Sequence, residues 1–207
     1  MTATSTAEKP KGLGILRAAF TDRRTLAMLL LGFSAGLPFV LVTGTLNAWL
    51  TAAEVTASTI GVLSWVGLAY AFKFLWSPAM SSKLPVIGRL GRRRGWMVTL
   101  QFIIAAALMV VATSHPEAPG GVAAMAAAAA LAAFASATQD IVIDAWRIEV
   151  AGEGAPIDLL SSIYQFGYRI AALAGAAGAL LLAAAIGWPG VYVVGALLMG
   201  LGLIGSL

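Results

Sequence analysis

The stretch "VAAMAAAAALAAFASATQDIVIDAWRIEV" (Val122–Val150) decides the fold class. It opens on an alanine run and then sets Asp140, Asp144, Arg147 and Glu149 close behind it. About 20 mostly apolar residues suffice to cross a bilayer. Lipid offers no partner to a free backbone N–H or C=O, so a crossing segment must be helical. The four charges then need a reason, because a charge at bilayer depth costs about 2.5–3.5 kcal/mol on insertion scales.

Composition agrees with a lipid-solvated chain. Hydrophobic residues make up 60% of it and charged ones 11%, against about 25% charged in a soluble domain. The absence of cysteine excludes a disulfide framework, a thiolate metal site and a cysteine nucleophile. The formal net charge of +4 is explained by where the basic residues fall, so no nucleic-acid partner is expected.

Six spans are predicted: Leu26–Leu50, Ser58–Met80, Trp96–Ser114, Val122–Val150, Leu159–Ile186 and Val191–Leu207. Turn-rich stretches separate them, among them "TAAEVTAS", "SHPEAPGG", "GEGAPID" and "GWPG". Asp158 is placed to cap the fifth helix. Residues 1–25 form a polar tail with Glu8, Lys9, Lys11, Arg17, Asp22, Arg23 and Arg24. The tail and the apolar run after it are both too long for a cleaved signal peptide. The tail and the loop carrying Lys83, Arg89, Arg92, Arg93 and Arg94 are basic, whereas loops 51–57, 115–121 and 187–190 carry no lysine or arginine. Alternation of basic and neutral loops predicts a cytoplasmic N-terminus. The expected fold is thus all-α: the tail, then a six-helix transmembrane bundle over residues 26–207.

Three spans carry polar residues at depth. Ser136, Asp140, Asp144 and Arg147 share one stripe of the fourth helix, beside Gln139, and Asp144 and Arg147 are an i, i+3 pair. Ser161, Gln165, Tyr168 and Arg169 form a stripe on the fifth, with Asp140 or Asp144 as the expected partner of Arg169. Arg169 is also a candidate for binding an anionic substrate. Lys73 lies with Tyr70 and Ser77 on the second helix; its ammonium either snorkels to the interface or meets a partner on the fourth helix. On the first helix Gly36, Thr43 and Asn47 share a face and Pro38 predicts a kink. Gly32 and Gly36 make a small-xxx-small contact pattern, and the alanine run 123–133 and the glycines at 167, 175 and 178 also predict close helix packing. Arg92, Arg93 and Arg94 are either headgroup anchors or an inner latch on Asp144 or Glu149.

"GFSAGLPFVL", "KFLWSP", "GRRRGW" and "ATQDIVIDAWRIE" together resemble the AmpG muropeptide permeases of the major facilitator superfamily. The resemblance implies a twelve-helix family fold in two halves, of which this chain matches the N-terminal one. It implies a bacterial inner-membrane location, proton-driven import of anhydro-muropeptides and a role in peptidoglycan recycling. Gln139 and Asp140 match the family's "QD", and Asp144 and Arg147 its "DAxR". Asp140 and Asp144 are the expected proton-coupling residues. Gln139, Arg169, Tyr168, Gln165, Asn47 and Gly36 are the expected substrate contacts, and Lys73, Arg147, Glu149, Arg92, Arg93 and Arg94 the expected gating or structural ion pairs. "MSSK" departs from the superfamily's usual acid after the second helix, with Ser81 and Ser82 in its place. Expected partners are lipid, protons, a small glycopeptide and either a second six-helix half or another copy of the chain. No cofactor or metal is expected.

Other functions stand against import by this protein. An intramembrane enzyme would need catalytic groups the spans lack: the lone histidine, His115, is in a loop, and Asp140 and Asp144 sit on one helix beside an arginine. A non-transporting remnant or scaffold, or a major-facilitator transporter of another solute, is the alternative.

Overall fold

A computed structural model describes residues 22–82 and 88–207. The expectations for Glu8, Lys9, Lys11, Arg17 and Lys83, and for the side chains of Ser81 and Ser82, lie outside the described residues. The described chain is helical, with α1 (Arg23–Ala52), α2 (Ala57–Ala71), α3 (Ser77–Ser82), α4 (Arg92–Thr113), α5 (Gly121–Val150) and α6 (Ile157–Ser206). Four of these, α1, α4, α5 and α6, are long and apolar enough to cross a membrane.

Local chemistry sets the ends. Asp22 caps α1, its carboxylate accepting from Arg24 N at 2.8 Å. Gly120 begins α5 in the left-handed region, where glycine has no Cβ to clash. Asp158 does not cap α6: Pro156 holds the cap position, and Asp158 lies in the first turn, where its charge still complements the helix dipole.

The second expected span is not one regular helix. Between α2 and α3 the backbone tightens into a 3₁₀ turn at Lys73–Leu75, and a further 3₁₀ turn, Ser64–Gly67, interrupts α2 itself. The fifth and sixth expected spans form one helical run, broken at Gly187 (φ 75°, ψ 164°), a conformation essentially confined to glycine. Thr45 bonds Gly175 O on the first arm, whereas Gly195 faces Leu41 and Gly202 faces Ser34 on the second. The first arm therefore runs parallel to α1 and the second returns antiparallel to it.

Glycines bring α1 and the first arm of α6 into backbone contact. A Cβ on Gly32 would run into Tyr164 O, one on Gly36 would sit 2.7 Å from Tyr168 O, and one on Gly167 would run into Leu29 O. The sequence pattern at Gly32 and Gly36 thus marks a real crossing. Pro38 stays inside α1, and a π-turn, Leu41–Thr45, follows it. A second π-turn, Ala174–Gly178, lies opposite in α6. Thr45 Oγ1 donates to Gly175 O at 2.6 Å and Tyr192 OH to Leu41 O at 3.0 Å, so side chains satisfy carbonyls in both irregular turns. At that end Trp49 stacks on Trp188, rings 6.4 Å apart.

Candidate functional site

Asp140 is the centre of the site. It lies on α5, 10 residues before Val150, or about 15 Å from the basic end of the bundle at 1.5 Å per residue. Its Oδ2 is 3.4 Å from Lys73 Nζ and its Oδ1 accepts from Tyr164 OH at 3.4 Å. The Asp140 side chain is 13% exposed and that of Lys73 34%. Lys73 reaches it because Trp76 pins the 3₁₀ turn onto α5: Trp76 Nε1 donates to Thr138 Oγ1 at 3.1 Å and its ring packs on Phe134. Of the two options the sequence left for Lys73, the partner on α5 is the one formed.

Toward the basic end, Arg147 Nη2 bonds Asp144 Oδ1 at 2.7 Å and its guanidinium lies 5.2 Å from the Tyr164 ring centroid. Tyr164 thereby touches both ion pairs. Arg93 closes on Glu149 at 2.8 Å, with Arg92 at 4.0 Å. Glu149, not Asp144, is the acid these arginines meet. Arg94 instead donates to Leu207 O, and Arg24 donates to Val150 O, tying α1 to α5.

Several sequence expectations need correction. Arg169 pairs with neither Asp140 nor Asp144, because Lys73 and Arg147 already hold them. Arg169 and Gln165 are exposed, on the side of α6 turned away from α1. Gly36 is buried against the Tyr168 backbone, which leaves a substrate no room there. Gln139 is fully buried and donates to Ser34 Oγ at 3.0 Å. Gln101 and Ser206 bond each other, and a Cβ on Gly202 would meet both Ser34 and Gln101, so these polar groups sit together between α1, α4, α5 and α6. Asn47 ties α1 to α2 through Ser64 Oγ at 3.2 Å. Tyr168 is half-buried between Phe39 and Tyr164.

Tyr164, Ser34 and Gln101 were not foreseen. Tyr164 precedes Tyr168 by four residues and continues the polar stripe of the fifth span one turn inward, so a signal was present. Among the described residues Gln139 Oε1 is buried beside the site without a hydrogen-bond partner, and the hydroxyls of Tyr70 and Ser136 are buried there as well. Among the described residues no three His, Asp or Glu side chains come together as a metal site needs.

With this geometry in view, sequence comparisons place the chain. An anhydromuropeptide permease of Escherichia coli K12 is 41% identical over 179 residues, 84% of this chain and 34% of the permease. The chain belongs to the AmpG family. An uncharacterised Haemophilus influenzae protein is 36% identical over 192 residues, covering 93% of this chain and 44% of that protein. A Rickettsia conorii transporter named AmpG 4 is 32% identical over 165 residues, 79% of this chain and 39% of its own length. A family model described as acetyl-coenzyme A transporter 1 matches residues 25–120. The chain spans about a third to under half of these relatives' length. AmpG-family membership and the apolar helices make it a multi-pass membrane protein.

Proposed function

We propose that this AmpG-family chain forms the N-terminal, proton-coupling half of an importer of anhydro-muropeptides. It crosses the bacterial inner membrane six times, with the segment 57–82 as the second crossing and the two arms of α6 as the fifth and sixth. Supporting this, the 57–82 segment shares hollows with α5 toward both ends, one lined by Val62 and Val122 and another by Met80 and Ile148. The N-terminus is cytoplasmic, in keeping with arginines 23, 24, 89, 92, 93, 94 and 147 gathered toward one end. A second six-helix unit, or another copy of the chain, closes the cleft. Import supplies peptidoglycan recycling, and the chain itself carries out no chemical conversion.

The observation that carries the proposal is the Lys73–Asp140 pair within apolar spans, with Tyr164 on the second carboxylate oxygen. Burial disfavours a charged carboxyl and a neighbouring ammonium favours it. A carboxyl poised between the two changes protonation when helices move. Protonation removes the attraction to Lys73 and frees the 3₁₀ segment to shift; loss of the proton restores the pair and the contact. Asp144 is then the second acid of the couple, held by Arg147, and the Arg92–Arg93–Glu149 cluster holds the inner side shut.

The test is uptake of labelled anhydro-muropeptide into right-side-out vesicles, with and without a pH gradient. It is run for this chain and for the chain joined to a second six-helix unit. The wild type accumulates label only with the gradient, and Asp140→Asn abolishes that accumulation while retaining downhill exchange. Gradient-driven accumulation by Asp140→Asn would remove Asp140 from coupling.

A further inference from the structure

The strongest unexplained group is Arg169. At about 100° per residue, Gly167 and Ala171, which pack inward, lie about 160° around the helix from it. The guanidinium therefore leaves α6 directly away from α1. Arg169 is exposed and makes no hydrogen bond or ion pair among the described residues.

Its depth excludes both headgroup regions. Tyr168 packs on Gly36, which lies 13 residues from Arg23 and 13 from Trp49 in α1. That places Arg169 about 20 Å from either level along the axis. A lone guanidinium facing acyl chains there is costly, so water or an anion faces it.

The two flanks of the helix around Arg169 differ. The 100° step orders the side chains round the helix as Tyr164, Tyr168, Ser161, Gln165 and Arg169. Over Ser161–Arg169 this polar arc begins on Asp140, through Tyr164, and ends on Arg169. The opposite flank is apolar and exposed: Phe166 54%, Ile170 43% and Leu173 69%. Arg169 thus closes the polar arc that starts at Tyr164, at the edge beyond which the helix is built for lipid. Ser161, Ser162, Gln165 and Phe166 surround it in one shallow hollow.

We propose that Arg169 selects the solute by its carboxylate. A planar guanidinium fork matches a carboxylate's two oxygens. Gln165 beside it supplies both a donor and an acceptor for the adjoining amide of a peptide, and the serine hydroxyls do the same. Both intramembrane acids at the site are already paired, so the fork is left for an incoming anion. The assignment rests on the transporter function proposed above and names the chemical group of the solute that the transporter recognises.

The test is binding of muramyl dipeptide to the chain in lipid nanodiscs, as the free acid and as its carboxyl amide. Wild type binds the acid at least about tenfold more tightly than the amide. Arg169→Gln binds both forms as wild type binds the amide, and Arg169→Lys restores part of the preference. Helical circular dichroism and particle mass accompany each variant. Equal binding of acid and amide by the wild type overturns the carboxylate assignment and leaves import standing. Binding of neither form by the wild type counts against both. If Arg169→Gln keeps the preference but changes the particle mass, the arginine pairs with an acid on another bundle and the assignment falls.

Discussion

Gly32→Ala puts one methyl group where α1 crosses the first arm of α6. The new Cβ would run into Tyr164 O and sit 2.9 Å from Tyr164 C and 3.1 Å from its Cα. These are backbone atoms, so no side chain can rotate away. Carbon contacts are comfortable at about 3.5–4.0 Å, so the helices must part by roughly 0.5–1 Å, a gap that forfeits a quarter to a half of each contact across the crossing. Overpacking of this kind costs about 1–3 kcal/mol, and a collision with backbone, which cannot rotate away, falls at about 2–3 kcal/mol. The better helix propensity of alanine returns up to about 1 kcal/mol, leaving a net loss of about 1–2 kcal/mol. In a chain of this size that lowers the melting temperature by about 2–8 °C, read from helical circular dichroism in one fixed detergent. Gly200→Ala is the control: a Cβ there meets nothing within 4 Å, so it melts at or above the wild type. Gly167→Ala burdens the same crossing from the other side, through Leu29 O and Phe33 N. Once the helices have parted, the second methyl group finds room, so the double variant loses less than the sum of the singles. Gly32→Ala melting with the control, or strictly additive losses, would show that these glycines do not share a tight crossing. The same parting draws Tyr164 away from Asp140, so under the proposed function Gly32→Ala also weakens coupled uptake.

Thr45→Val deletes the hydroxyl that bonds Gly175 O and leaves a buried carbonyl without its side-chain donor; a loss of about 1–3 kcal/mol is expected, and unchanged thermal unfolding would show that the two π-turns are not tied through it. Glu149→Gln removes the acid held by Arg93, but Glu149 is 47% exposed, so the cost is under about 1 kcal/mol. That difference shrinks in about 1 M salt, and a difference that persists there would mean the pair is shielded from water. The Asp140→Asn and Arg169→Gln variants test coupling and solute selection separately, because one reads the pH gradient and the other the ratio of acid to amide.

Much of the site could be read from the chain. Stripe spacing on α5 put Asp144 beside Arg147, because i, i+3 neighbours have few other choices; the basic loop pointed at Asp144 or Glu149, and the structure forms the pair with Glu149. Gly32 and Gly36 announced a close crossing, because small residues recur where backbones touch. Other features were hidden. The 3₁₀ turn at Lys73–Leu75 has no strong local signal, and it is what lets the ammonium meet Asp140. Gln139, one residue from Asp140, turns into the buried cluster with Ser34 instead of the site, since a 100° step separates neighbours on a helix.

The sequence by itself determined the solvent, the helical class and the family. These follow from residue counts, span lengths and motifs, which do not depend on where the chain folds back. Only the tertiary structure decided which side of each helix is packed. The crossing at Gly32, Gly36 and Gly167 fixes the rotation of the first arm of α6. That rotation brings Tyr164 to Asp140 and carries Arg169 outward, so that of two side chains five residues apart on one helix one is buried and the other exposed.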